Sequence, residues 1–176
     1  MLSDFVVAIV AGLGAASVVY ALRHLAGRLT GRQLPKWLLP VTAGLAMIAA
    51  TIWSEYSWYP RTLAALGPDV VVADAVTERV AYRPWTFIFP MVTRFSAVDL
   101  GHRVAAGADG QIFAANAVLY QRWQPVLAVP QAFDCTQHAR ADLLNGATLG
   151  PDGSLNGTSW SRTAGDTLVA AACGGG

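Results

Sequence analysis

The sequence predicts a membrane α-hairpin of two transmembrane helices followed by a small all-β or β-rich extracytoplasmic domain, a sandwich or partly open barrel of five to seven strands. Three observations predict it. Two uncharged apolar stretches lie near the N-terminus, and a short arginine-containing connection separates them. From Val70 onward the texture changes to short alternating runs broken by Gly, Pro and Asn-Gly pairs. Composition agrees: of 176 residues 54% are hydrophobic and 13% charged, against about 25% charged in an average soluble domain. A net charge of +1 with no basic run excludes disorder driven by charge and excludes nucleic-acid binding that relies on phosphate neutralisation.

The first stretch, Phe5–Leu22, is bracketed by Asp4 and Arg23, and only Gly12, Gly14 and Ser17 fall outside the hydrophobic set. The second, Trp37–Ser54, is bracketed by Lys36 and Glu55. At about 1.5 Å of rise per residue, each is near the lower limit for crossing a hydrocarbon core of roughly 30 Å once its flanks are added. The competing reading is a pair of buried helices, or a cleaved signal peptide for the first run. Met1-Leu2-Ser3-Asp4 lacks the basic start of a signal peptide. Arg23, Arg28, Arg32 and Lys36 lie between the spans, and no Lys or Arg precedes the first, so the positive-inside rule makes this loop cytoplasmic and both the N-terminus and the C-terminal domain periplasmic. Eleven arginines against one lysine suit a bacterial inner membrane.

Neither span interior carries an ionisable residue, which argues against a proton relay, an ion path or a haem carrier. Small residues recur at helical spacing instead: Ala8, Gly12 and Ala16 in the first span, Ala46 and Ala50 in the second. This stripe serves either the packing of the two helices on each other or docking into a larger complex. Trp37 on one side and Trp53, Tyr56, Trp58 and Tyr59 on the other read as interfacial anchors, with a binding surface held against the membrane as the other use. Tyr59-Pro60 is expected to turn the chain. The organisation is then a hairpin over 1–55, an interfacial connector over 56–69, a periplasmic domain over 70–173 and a flexible tail over 174–176.

Within the domain, Val70–Ala73 and Val76–Tyr82 read as strand, and Trp85, Phe87 and Phe89 share one face of a further strand. That face is either sheet core or, with Arg83, a contact patch of the kind in which Trp and Arg are enriched. Gln111–Trp123 and Pro125–Phe133 are further strands, Asn145-Gly146, Asp152-Gly153 and Asn156-Gly157 are turns around a small hairpin, and Thr167–Cys173 is a last apolar strand.

The two cysteines, Cys135 and Cys173, lie on the oxidising side and are expected to form a disulfide. Cys135-Thr-Gln-His138 with Cys173 and His102 is the alternative as a zinc site, and a Cys–His nucleophile is another. No C-x-x-C-H, G-x-S-x-G or phosphate-binding glycine loop is present, and Asp99 with Asp134 has no spacing that singles it out for acid–base work. No cofactor is expected.

The run Tyr82-Arg83-Pro84-Trp85-Thr86-Phe87-Ile88-Phe89-Pro90, with Val92-Thr93-Arg94-Phe95, Asp99, Phe133-Asp134-Cys135 and Arg140-Ala141-Asp142, resembles an uncharacterised family of short bacterial two-span inner-membrane proteins. The resemblance implies the same two spans and outer domain and brings no activity. Three functions follow for test: a non-catalytic accessory or assembly subunit of an inner-membrane complex, a membrane-tethered periplasmic ligand- or lipid-binding module, and a membrane-bound enzyme. The expected partners are the lipid bilayer and other membrane proteins or further copies of the chain. Residues 56–176 hold eight basic and nine acidic side chains, so the outer part is itself poor in charge, which favours a contact surface over a free-standing enzyme.

Overall fold

The computed structural model describes residues 2–31, 35–81, 83–107 and 109–174. Arg32, Tyr82 and tail residues 175–176 lie outside them. The chain divides into two compact units, Met1–Arg61 and Thr62–Gly176.

The first unit is an antiparallel pair of helices, α1 (Leu2–Thr30) and α2 (Leu38–Ala65). Two contacts set the direction: the Ser54 hydroxyl donates to the Asp4 carboxylate, and Gly12 lies against Met47. Over Asp4–Leu29 and Leu38–Ala65 the helices are long and apolar enough to cross a membrane. Twenty-six residues rise about 39 Å, more than the roughly 30 Å of a hydrocarbon core. Only 6% and 11% of their most apolar windows are buried, so neither is a core helix of this chain. The hydroxyls of Ser17, Thr42 and Thr51 donate back to the carbonyls of Leu13, Leu38 and Met47 at 2.8–2.9 Å, which satisfies them without a partner outside the helix.

Pro60 does not turn the chain. It has no N–H to donate to the Tyr56 carbonyl four residues back, yet the helix runs on to Ala65, and the Arg61 Nε donates to the Ser57 carbonyl at 3.1 Å in the same turn. The segment expected as a connector over 56–69 is therefore helical through residue 65. The turn comes at Gly67-Pro68, closed by the Val70 N–H on the Gly67 carbonyl at 3.2 Å.

The second unit is a curled five-stranded antiparallel meander, a half-barrel, in the order β1 (Val70–Glu78), β2 (Met91–Ala106), β3 (Ile112–Gln121), β4 (Leu127–Asp134) and β5 (Ala139–Asp142). A small hairpin, β6 (Thr148–Leu149) with β7 (Leu155–Asn156), follows, and then α3 (Thr167–Gly174). The last apolar run is thus a helix, not the strand its composition suggests. Asp166 decides this: its carboxylate accepts from the N–H groups of Leu168 at 3.0 Å and Val169 at 3.4 Å, capping a segment rich in alanine. The Arg140 guanidinium holds the same carboxylate at 2.6 Å and ties α3 to β5.

The core gathers under α3. Val98, Phe113, Ala115 and Phe133 of the sheet are buried with Val169 and Ala172 of the helix, and Leu100 and Leu168 pack at the edge. Cys135 and Cys173 are disulfide-bonded with their Cα atoms 5.5 Å apart, joining the end of β4 to α3 beside this core. Elsewhere in the sheet Phe95 stacks on Tyr120 at 4.6 Å, and Ala97, Ala132, Ala139 and Ala141 are buried.

Candidate interaction surface

The small residues at helical spacing lie on the packed face of the hairpin. Gly12 is buried, and Ala8, Ala16, Ala46 and Ala50 are half-buried along the same seam. A Cβ on Gly12 would fall within 2.8 Å of the Met47 Cγ, so any larger residue here displaces the Met47 side chain. Ala46, Ala50, Ser54 and Trp58 recur at i, i+4 on α2, and Trp58 is buried rather than an exposed anchor. Its ring meets Tyr59 edge-on at 6.3 Å. Trp37 and Trp53 are exposed, Tyr56 and Tyr59 half-buried. Of the charges expected in the loop, Arg23 and Arg28 lie on α1 itself, which runs on to Thr30, and Lys36 lies between the helices; Arg28 and Lys36 are exposed and Arg23 is half-buried. The outward faces carry large apolar side chains throughout, among them Phe5, Val10, Leu13, Leu45 and Ile48.

In the sheet unit the aromatic segment is neither strand nor core. Pro84 opens a short 3-10 turn over Pro84–Phe87 and Pro90 bars a ladder bond beyond it, so the alternation of Trp85, Phe87 and Phe89 never forms a strand. Thr86 pins the loop from inside. Fully buried, its hydroxyl accepts from the Val80 N–H at 3.0 Å and donates to the Arg83 carbonyl at 2.8 Å. Trp85, Phe87, Ile88 and Phe89 are consequently all exposed, the last three at 57%, 75% and 65%.

A second loop shares this end of the sheet. Because neighbouring strands are antiparallel, the β1–β2 loop and the β3–β4 turn close on the same side: Glu78 pairs with Met91, Arg94 with Gln121, and the Arg122 N–H donates to the Thr93 carbonyl at 2.9 Å. The turn exposes Trp123, whose backbone sits at a φ of 70°, with the Arg122 guanidinium 4.1 Å over its ring. Leu119, Val126 and Leu127 are exposed beside it, and Leu144 after β5. Among the described residues of this unit, Val104 is the one exposed large apolar side chain that lies elsewhere. Sequence reading missed Trp123 because it continued a strand pattern. The signal was the following Gln124-Pro125, which breaks it.

Arg79, Arg83, Arg94 and Arg122 stand around the same end, against Glu78 and the Asp142 that closes β5. The unit as a whole has seven arginines and nine acids, a net charge of −2, so its positive charge is concentrated where its apolar surface is.

The other candidate chemistry comes apart. Both sulfurs are in the disulfide, which removes the zinc-site and nucleophile readings of Cys135 and Cys173. Among the described residues no group of three or more His, Cys, Asp or Glu could hold a metal ion. Asp134 accepts from the Thr136 and Gln137 N–H groups at 2.9 and 3.0 Å and closes the β4–β5 turn. Asp99 accepts from the Gly101 N–H at 3.0 Å and meets the exposed His102 Nδ1 at 2.9 Å, bracing a bulge in β2. An open groove of about 800 Å³ runs along α3 past His138, Arg162 and Asp166. No protein family, curated protein or solved structure matches the chain.

Proposed function

We propose that the chain is a non-catalytic accessory or assembly subunit of a bacterial inner-membrane complex, anchored by α1 and α2 with its sheet unit in the periplasm. The observation that carries this reading is the distribution of uncovered apolar surface. On the helices it occupies the faces away from the shared seam, and on the sheet unit it gathers at one end. Each is a surface that a bilayer or a partner protein would cover, and Asp134, Asp152 and Asp166 of the sheet unit brace turns or a helix cap. The disulfide suits an oxidising compartment, and the basic side chains at the end of α1 and in the connection to α2 suit a cytoplasmic side.

Photo-crosslinking side chains placed at Leu13 and Leu45, both outward on the helices, test it in cells. A discrete adduct at either position, with co-migration of the same partner in mild detergent, is the expected result. A chain that gives no adduct and purifies as a free monomer overturns the subunit reading. Thiol labelling from outside that reaches Arg28→Cys rather than Asp109→Cys reverses the orientation.

A further inference from the structure

We propose that the β1–β2 loop and the β3–β4 turn together form a second lipid contact, in which Trp85, Phe87, Ile88, Phe89 and Trp123 enter the headgroup boundary of an anionic bilayer and the neighbouring arginines meet its phosphates. The inference rests on the membrane anchoring proposed above and assigns a partner to the apolar end of the sheet. Four observations point to lipid rather than to a protein groove. Phe87, Ile88 and Phe89 are consecutive and all exposed, whereas a segment recognised by strand addition offers alternate side chains. Tryptophan mixed with arginine is the composition of a membrane-water boundary, where a ring lies in the acyl region and a cationic tip stays in the headgroups. The charge is complementary: a unit of net charge −2 turns Arg79, Arg83, Arg94 and Arg122 toward this end. The buried Thr86 hydroxyl and the Arg122–Thr93 bond brace the two loops from within, so the rings project without ordering cost at the moment of contact.

The test uses the full chain in nanodiscs of phosphatidylcholine alone or mixed with phosphatidylglycerol. Because both native cysteines are disulfide-bonded, a cysteine introduced as Ile88→Cys, Trp123→Cys or Leu13→Cys takes an environment-sensitive fluorophore selectively. Labels at Ile88 and Trp123 are expected to be quenched by lipids brominated near the headgroup, more strongly with phosphatidylglycerol present, and the label at Leu13 by lipids brominated deep in the chain. Arg79→Gln and Arg94→Gln each lower the docking constant about fivefold in the anionic discs and leave it unchanged in the neutral ones. Quenching at Leu13 without quenching at Ile88 and Trp123 overturns the lipid contact and leaves the anchoring intact. Quenching at Ile88 and Trp123 without Leu13 supports the contact and removes the anchoring. An Ile88 emission that responds to the number of chains per disc and not to brominated lipid is contact between copies, and overturns the proposal. Equal docking in both lipids overturns the anionic assignment.

Discussion

Reducing the Cys135–Cys173 bond is the perturbation that most directly measures how the sheet unit is held together. The bond closes a loop with a sequence separation of 38. On the chain-entropy account, the cross-link removes about 4 kcal/mol of freedom from the unfolded chain. That is a large share of the roughly 5–15 kcal/mol by which a domain is stable. Reduction leaves both side chains in place beside Val98, Phe113 and Phe133, so the packing contribution stays nearly constant and the entropy is what changes. Native-state hydrogen exchange reads the result residue by residue and is unaffected by the melting of α1 and α2 in their micelle. At about 1.4 kcal/mol per decade, the globally exchanging amides of Phe113 and Phe133 should lose protection by a factor approaching a thousand. The double variant Cys135→Ala with Cys173→Ala should lose slightly more, because it also deletes two half-buried sulfurs. If the α3 amides open on reduction while Phe113 and Phe133 keep their protection, the bond staples α3 locally and the loop-closure reasoning is refuted.

Gly12→Ala should weaken the hairpin by about 1–3 kcal/mol through overlap with Met47, and Met47→Ala should restore much of the loss in a double-mutant cycle of helix association in detergent. Thr86→Val leaves the half-buried Val80 N–H without its hydroxyl acceptor and should cost about 1 kcal/mol, seen as faster exchange of the Val80 amide than in the unsubstituted chain. The Asp152 carboxyl is held below its usual range by the Ser154 hydroxyl, at 2.6 Å, and by the Ser154 N–H. Its folded value lies below its unfolded one, so its contribution to the β6–β7 turn is complete above the usual carboxylate range and lost as the pH falls through the depressed value. A carboxyl-carbon titration should show a low midpoint for Asp152 that moves back toward the usual range in Ser154→Ala, with the residue 154 N–H still holding it down.

The sequence by itself determined the elements whose cause is local. Two long apolar uncharged runs are helices, long and apolar enough to cross a membrane, and the β-rich second half follows from short alternating runs, with Asp109-Gly110 dividing β2 from β3 and Asn145-Gly146 dividing β5 from the β6–β7 hairpin. Two cysteines in one unit left a single possible pairing. What only the tertiary structure decided depends on a competing tie from elsewhere in the chain. Pro60 reads as a stop, yet the helix passes through it and ends five residues later at Ala65, at the cost of one backbone bond. Thr167–Cys173 is apolar enough for a strand, and Asp166, itself held by Arg140, makes it a helix. Trp85, Phe87 and Phe89 alternate as a core strand would, but Thr86 is the residue that goes inside and the rings are left outside. Their meeting with Trp123 and four arginines at one end was invisible beforehand, because it follows from antiparallel pairing that brings residues some forty positions apart to the same edge. Periodicity reports which side chains share a face of an element; which faces remain uncovered is a property of how the elements are assembled.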